Sequence, residues 1–251
     1  MSATTSSLFV FVCAFGGALL GMFIRRLLPA NHVSPESKDV VRISMGLVAT
    51  TVALVLGLLV YSAKSFYDTQ TNEVTQLAAN VVLLDRLLAH YGPESSEVRA
   101  ELRRSIQYHL ETMWPENGSK GAATQSFALT SEAVLDRIHE LSPKDDRQRT
   151  LQGQAANLAF QMGQTRLLMF TQRSVPVPKL LLIMLIFWLI ALFASFGLFA
   201  PTNSTVVISL FIAAAAVCGA VFLMIEMYYP YGGLIEVSRA PLVSALAQLG
   251  R

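Results

Sequence analysis

The residues with the plainest chemistry are the four histidines and two cysteines, and their spacing supports none of it. His32, His90, His109 and His139 stand too far apart for two imidazoles to share a turn of helix. No metal site is expected from them, and each is expected at the surface. Cys13 and Cys218 fall inside apolar runs, where a thiol packs as a small hydrophobe, so neither a disulfide framework nor a metal knuckle is predicted. There is no nucleophile elbow, no Gly-rich phosphate loop and no pair of acids within an apolar run. The sequence therefore predicts no enzyme and no cofactor. With 53% apolar and 14% charged residues, the composition is that of an integral membrane protein. A net charge of +2, with no basic run carrying interleaved aromatics, excludes nucleic acid as a partner.

The residues that could act on ions lie on one helical face. Gly46, Thr50, Ala53 and Gly57 recur at steps of four, three and four, and the face continues through Tyr61, Lys64 and Asp68. Small side chains in a membrane helix either let a neighbouring backbone come close or line a narrow path. In the second case Lys64 and Asp68 would set rings of opposite charge at the mouth, and such rings tune which ions enter.

This face needs a long element to carry it. From Ile43 to Tyr91 there is no proline and no glycine pair; the segment is apolar as far as Tyr61 and polar but helix-compatible beyond. One continuous helix is predicted, roughly 70 Å long against a hydrocarbon core of about 30 Å, and so a membrane span and an aqueous stalk in one. Ser34-Pro35-Glu36 reads as N-cap, first helical position and acidic first turn, which lets the helix begin near Pro35. Val74, Leu77, Val81, Leu84 and Leu88 form a seam for a partner helix.

Leu8 to Ile24 reads as a first span, with Gly16, Gly17 and Gly21 as a face for close helix contact. Its basic residues, Arg25 and Arg26, follow the apolar run, so it is expected to stay in the protein and not to be cleaved as a leader. Tyr91-Gly92-Pro93 stops the stalk. A helix from about Ser95 to Trp114-Pro115 carries Val98, Leu102, Ile106, Leu110 and Met113 on one side. Glu116 to Thr124 is a loop, whose Asn117-Gly118-Ser119 reads as a turn as readily as a glycosylation sequon. A short helix from Ser131 to about Leu141 follows. The next, from Lys144 to about Arg173, presents Leu151, Ala155, Leu158, Met162, Thr165 and Met169, and is predicted to return antiparallel to the stalk. Leu180 to Ala200 and Val206 to Ile225 are the third and fourth spans, joined by Pro201 to Thr205.

The fold class predicted is thus an all-α integral membrane protein, with four transmembrane helices and a helical-bundle insert between spans two and three. Its parts are residues 1–62 (transmembrane helices 1 and 2), 63–178 (helical stalk and bundle), 179–226 (transmembrane helices 3 and 4) and 227–251 (C-terminal tail). Lys64, Arg166, Arg173, Lys179 and Arg239 favour a cytoplasmic insert and cytoplasmic termini, while Arg25, Arg26, Lys38 and Arg42 pull the other way.

After the fourth span the chain reads Glu226-Met227-Tyr228-Tyr229-Pro230-Tyr231-Gly232-Gly233-Leu234-Ile235-Glu236-Val237-Ser238, followed by Pro241-Leu242 and Ala245-Leu246. An acid at the membrane edge followed by two Tyr is an interfacial anchor, and Glu226 either reaches water or is held inside. Gly232-Gly233 permits a sharp turn, after which Ile235, Val237, Leu242, Leu246 and Leu249 would lie back on the insert. Glu226, Pro230, Tyr231, Gly232, Ser238 and Pro241, together with Ala53-Leu54-Val55-Leu56-Gly57 and Ser65-Phe66-Tyr67-Asp68, form a pattern that resembles the bacterial bestrophin-like domain family. The resemblance implies kinship to bestrophins, oligomeric ion channels with a helical cytoplasmic body and a pore lined by a helix of the N-terminal half. It implies a bacterial inner membrane, a homo-oligomer and inorganic ions. The acidic run that forms the calcium site of the animal channels is absent, so calcium gating is not implied.

Two functions follow. One is an oligomeric membrane ion channel of bestrophin-like type; the other is a non-conducting scaffold or sensor whose stalk binds a soluble partner. They part at Gly46, Thr50, Ala53 and Gly57: a pore turns this face to a symmetry axis, and a scaffold buries it against span one, three or four.

Overall fold

The computed structural model describes residues 3–27, 35–114, 133–172, 179–201 and 203–250, and these hold helices and loops but no strand. The helices are α1 (Ala3–Leu27), α2 (Pro35–Tyr91), α3 (Ser96–Met113), α4 (133–139), α5 (Asp146–Gln172), α6 (Lys179–Phe199), α7 (Ser204–Met227) and α8 (Ala240–Gln248). Four of them, α1, α2, α6 and α7, are long and apolar enough to cross a membrane. The helices outrun the predicted spans because hydropathy marks the lipid-facing part, whereas polar ends such as Thr4 to Ser7 remain helical. Ser34, the Glu116 to Thr124 loop with its sequon, and Ser131, where the short helix is expected to begin, lie outside the described residues.

Contacts divide the chain into two compact units, Met1–Phe66 with Pro176–Tyr229, and Tyr67–Val175 with Pro230–Arg251. In the first, α1 packs on α6 and α7. Glycine decides how closely: a Cβ at Gly21 would fall on the Ala194 carbonyl, one at Gly197 on the Ala18 carbonyl, and one at Gly17 would lie 3.0 Å from the Ile190 carbonyl oxygen. Gly16, the neighbour of that pair in sequence, meets nothing within 4 Å, so the contact uses the i, i+4 pair alone. Around it Val10, Ala14 and Ala18 bury against Leu185, Leu189 and Phe193 of α6 and Ala214 and Val221 of α7. Arg25 donates to the carbonyl of Ala200 just past the end of α6, where a cation also offsets the helix dipole. Asn203 caps α7 by accepting from the Val206 N–H at 2.9 Å.

The second unit is a helical bundle. Val74, Leu77, Val81, Leu84 and Leu88 of α2 are buried in one cluster with Val98, Leu102, Ile106 and Met113 of α3, Val134 and Ile138 of α4, and Ala155, Met162 and Met169 of α5. The partner of α2 is antiparallel, as the spacing predicts. Gln70 bonds Gln172 at 2.6 Å at one end, and Gln148 bonds the Tyr91 carbonyl at 3.0 Å at the other. Gly92, at φ 130°, makes the stop that no L-residue adopts comfortably. On α5 the buried stripe adds Ala159 and Arg166, while Leu158 is only partly covered, so the helix is turned slightly from the predicted face.

The main correction is His109, which is 1% exposed and not at the surface. It stands seven residues after Leu102 and three after Ile106, so the α3 register carries it inward. Beside it the Arg166 guanidinium donates to Ser105 Oγ at 2.8 Å. Burial lowers Arg166 to about 10, and burial first, then the Arg166 charge, lowers His109 to about 3. Above the unfolded value of about 6.5 neither state holds this proton and the stability is fully present. As the pH falls from there toward 3, the unfolded chain takes up a proton that folded His109 refuses, and stability drops by about 1.4 kcal/mol per pH unit. Melting the purified protein at about pH 7.5 and about pH 5 should show a larger loss for wild type than for His109→Gln. Equal losses would show that His109 does not carry the effect.

Candidate functional site

Among the described residues the small-residue face of α2 is uncovered from Gly46 to Gly57. Gly46, Thr50, Ala53, Gly57, Tyr61, Lys64 and Asp68 are all exposed, Tyr61 by 73%. A Cβ at Gly46 or Gly57 meets nothing within 4 Å. The opposite side does the packing: Val52, Leu59 and Ala63 are buried, with Val48, Ala49 and Val60 partly so. That side is held to α7 by a 3.2 Å hydrogen bond between the Ser62 and Tyr228 hydroxyls and by Phe66 stacked on Tyr228 with centroids 5.7 Å apart. Thr50 Oγ1 donates back to the Leu47 carbonyl at 2.8 Å, which leaves its oxygen lone pairs and methyl group on the outer surface. Ile43, Leu47, Leu54 and Leu58 flank the small face and are exposed as well.

The C-terminal motif is a fastening. Glu226, near the end of α7, is 6% exposed, so its side chain is held inside and does not reach out to water. Pro230 and Tyr231 are buried in the second unit. The Tyr231 hydroxyl donates to Gln70 Oε1 at 2.7 Å, and its ring meets Trp114 edge-on at 5.3 Å. Trp114 Nε1 donates to the Val237 carbonyl at 2.9 Å, and the Tyr67 hydroxyl donates to the Glu236 carbonyl at 3.1 Å. Gly232 and Ser238 are exposed; Ser238 Oγ accepts from the Ala240 N–H at 3.2 Å and so opens α8. Pro241 sits in the first turn of that helix, where its missing N–H costs nothing. Leu242, Ala245 and Leu249 then enter the bundle core, with Leu246 partly covered. Asp85, held by Arg99 Nε and Nη2 at 2.7 and 2.9 Å, accepts from the Gly250 N–H at 3.4 Å.

Sequence reasoning missed Gln70, Trp114 and Asp85 as partners of the tail. Only Gln70 left a signal: it lies four and seven residues before Val74 and Leu77, on the seam.

These features define an all-α membrane protein in which four spanning helices accompany a helical body, and the tail after the last span completes that body's core. The sequence matches the Bestrophin-like domain over residues 12–242, and the chain belongs to that family. No curated relative matches it by sequence. Its fold is that of a bacterial Bestrophin homolog from Klebsiella pneumoniae. One single-substitution crystal structure of that protein gives a TM-score of 0.70 at 14% identity, covering 96% of this chain and 97% of that one. A second gives 0.68 at 14% identity, covering 99% and 97%. A third gives 0.66 at 13% identity, covering 96% and 97%.

Proposed function

We propose that copies of this chain close into a ring in a bacterial inner membrane, and that the ring is an ion channel of bestrophin-like type. The face Gly46, Thr50, Ala53 and Gly57 lines the path, and Tyr61, Lys64 and Asp68 form its mouth. The observation that supports this is that the face lies exposed while the other side of α2 makes the contacts with its own chain. Small side chains with a hydroxyl among them gain little from lipid and suit a narrow wet path, whereas the flanking leucines suit neighbouring copies or acyl chains. A scaffold that buried this face against its own spans is disfavoured on the same ground. The body and both termini are assigned to the cytoplasm. Alkaline phosphatase inserted between Glu116 and Thr124 should be inactive, and activity would invert the assignment.

The test is conduction by the purified protein in planar bilayers. Gly57→Trp is expected to abolish the current, because the ring of glycines is where backbones leave least room. Lys64→Glu is expected to shift selectivity toward cations. Cysteines placed at Lys64 should cross-link copies. A monomer in detergent, or wild-type protein silent across salts, voltages and pH, would favour the non-conducting scaffold whose body binds a soluble partner.

A further inference from the structure

We propose that the loop 232–235 dips into the membrane surface, with Leu234 as its lipid-inserted side chain. This role goes beyond conduction and holds for either reading of the protein.

The loop is tied at its base. The Val237 N–H donates to the Pro230 carbonyl at 2.8 Å, Tyr231 and Val237 are buried, and Trp114 and Tyr67 hold the carbonyls of Val237 and Glu236. A loop closed in this way holds its crest in place. At the crest Leu234 is 79% exposed, more than any other large hydrophobic residue described. From Pro230 to Ile235 the loop carries no charge, so nothing in it opposes entry into an apolar layer.

Its place in the chain says which layer. The fourth span ends at Met227, and Tyr229, two residues on, is 50% exposed, as an aromatic at headgroup depth would be. The loop's base returns Val237 to Pro230, the residue bonded to Tyr229. The crest therefore follows the end of a membrane span closely in the chain, and five residues of extended chain set an upper limit of roughly 17 Å between Tyr229 and Leu234. The occupant is the boundary between headgroups and acyl chains. Since the contact is apolar, neutral and anionic lipids should serve alike.

The test places a bimane on Leu234→Cys in full-length protein carrying Cys13→Ser and Cys218→Ser, reconstituted in phosphatidylcholine nanodiscs with nitroxide on the upper acyl chain. Ala89→Cys is the control, exposed on α2 and roughly 40 Å along the helix from Tyr61. Quenching by the lipid nitroxide should be greater at position 234 than at 89 by about twofold or more, with protection from aqueous iodide. Equal lipid quenching at the two positions, or free quenching by iodide, overturns the proposal. So does a label at 234 shielded from both quenchers, which would mean that protein, such as a second copy, covers the loop. If Leu234→Cys does not fold, Ile235→Cys at the same crest is read by the same criteria.

Discussion

Leu77→Asp is expected to unfold the helical body. Leu77 has no exposed surface and sits among Val74, Val81 and Leu84 in the cluster that joins α2 to α3 and α5. The change gives up about 2 kcal/mol of apolar burial and places a carboxylate among apolar side chains. The sum is on the order of 3–5 kcal/mol, a large part of the stability of an ordinary domain. Leu83→Asp, on the exposed side of the same helix, should stay within about 0.5 kcal/mol of wild type. Thermal melts of the two variants in detergent separate the outcomes, and an unchanged melt for Leu77→Asp would show that the seam is not a core.

Gly21→Leu should do comparable damage in the membrane unit by a different route. There the first atom of any side chain would fall on the Ala194 carbonyl, a backbone atom that cannot rotate aside. The helices must separate, and the loss is expected to be roughly 1–3 kcal/mol or more, read as a fall in monodisperse protein recovered from membranes. Gly16→Leu, where space is open, is the matched control. Equal recovery of the two would mean that α1 and α6 do not touch through Gly21.

Much of this architecture was legible because it rests on periodicity and punctuation. The three-four seam from Val74 to Leu88, the Gly92-Pro93 stop and the apolar runs are local patterns with few alternative readings. What escaped was set by tertiary register. His109 and Arg166 are polar residues carried inward by the faces on which they sit, and polarity alone argues for the surface. The bond from Tyr231 to Gln70 joins residues 161 positions apart, and no local spacing encodes such a pairing. Likewise Gly16 and Gly17 are equivalent in composition, and only the approach of α6 tells them apart. The small face of α2 was visible as a pattern, but its outward aim was not, since packing and path-lining leave the same signature in sequence.

The origin of the body's core has a bearing on the order of events during synthesis. Val74 to Leu88 leave the ribosome before the third span exists, yet Tyr231, Val237, Leu242 and Leu249, which share their cluster, are made only after the fourth. Those contacts bridge the longest sequence separations in the bundle, and closing such separations is slow. The body cannot complete itself while the nascent chain is still being threaded into the bilayer. Its exposed seam is then a surface for chaperones to hold, and its closure reports that both late spans have been made.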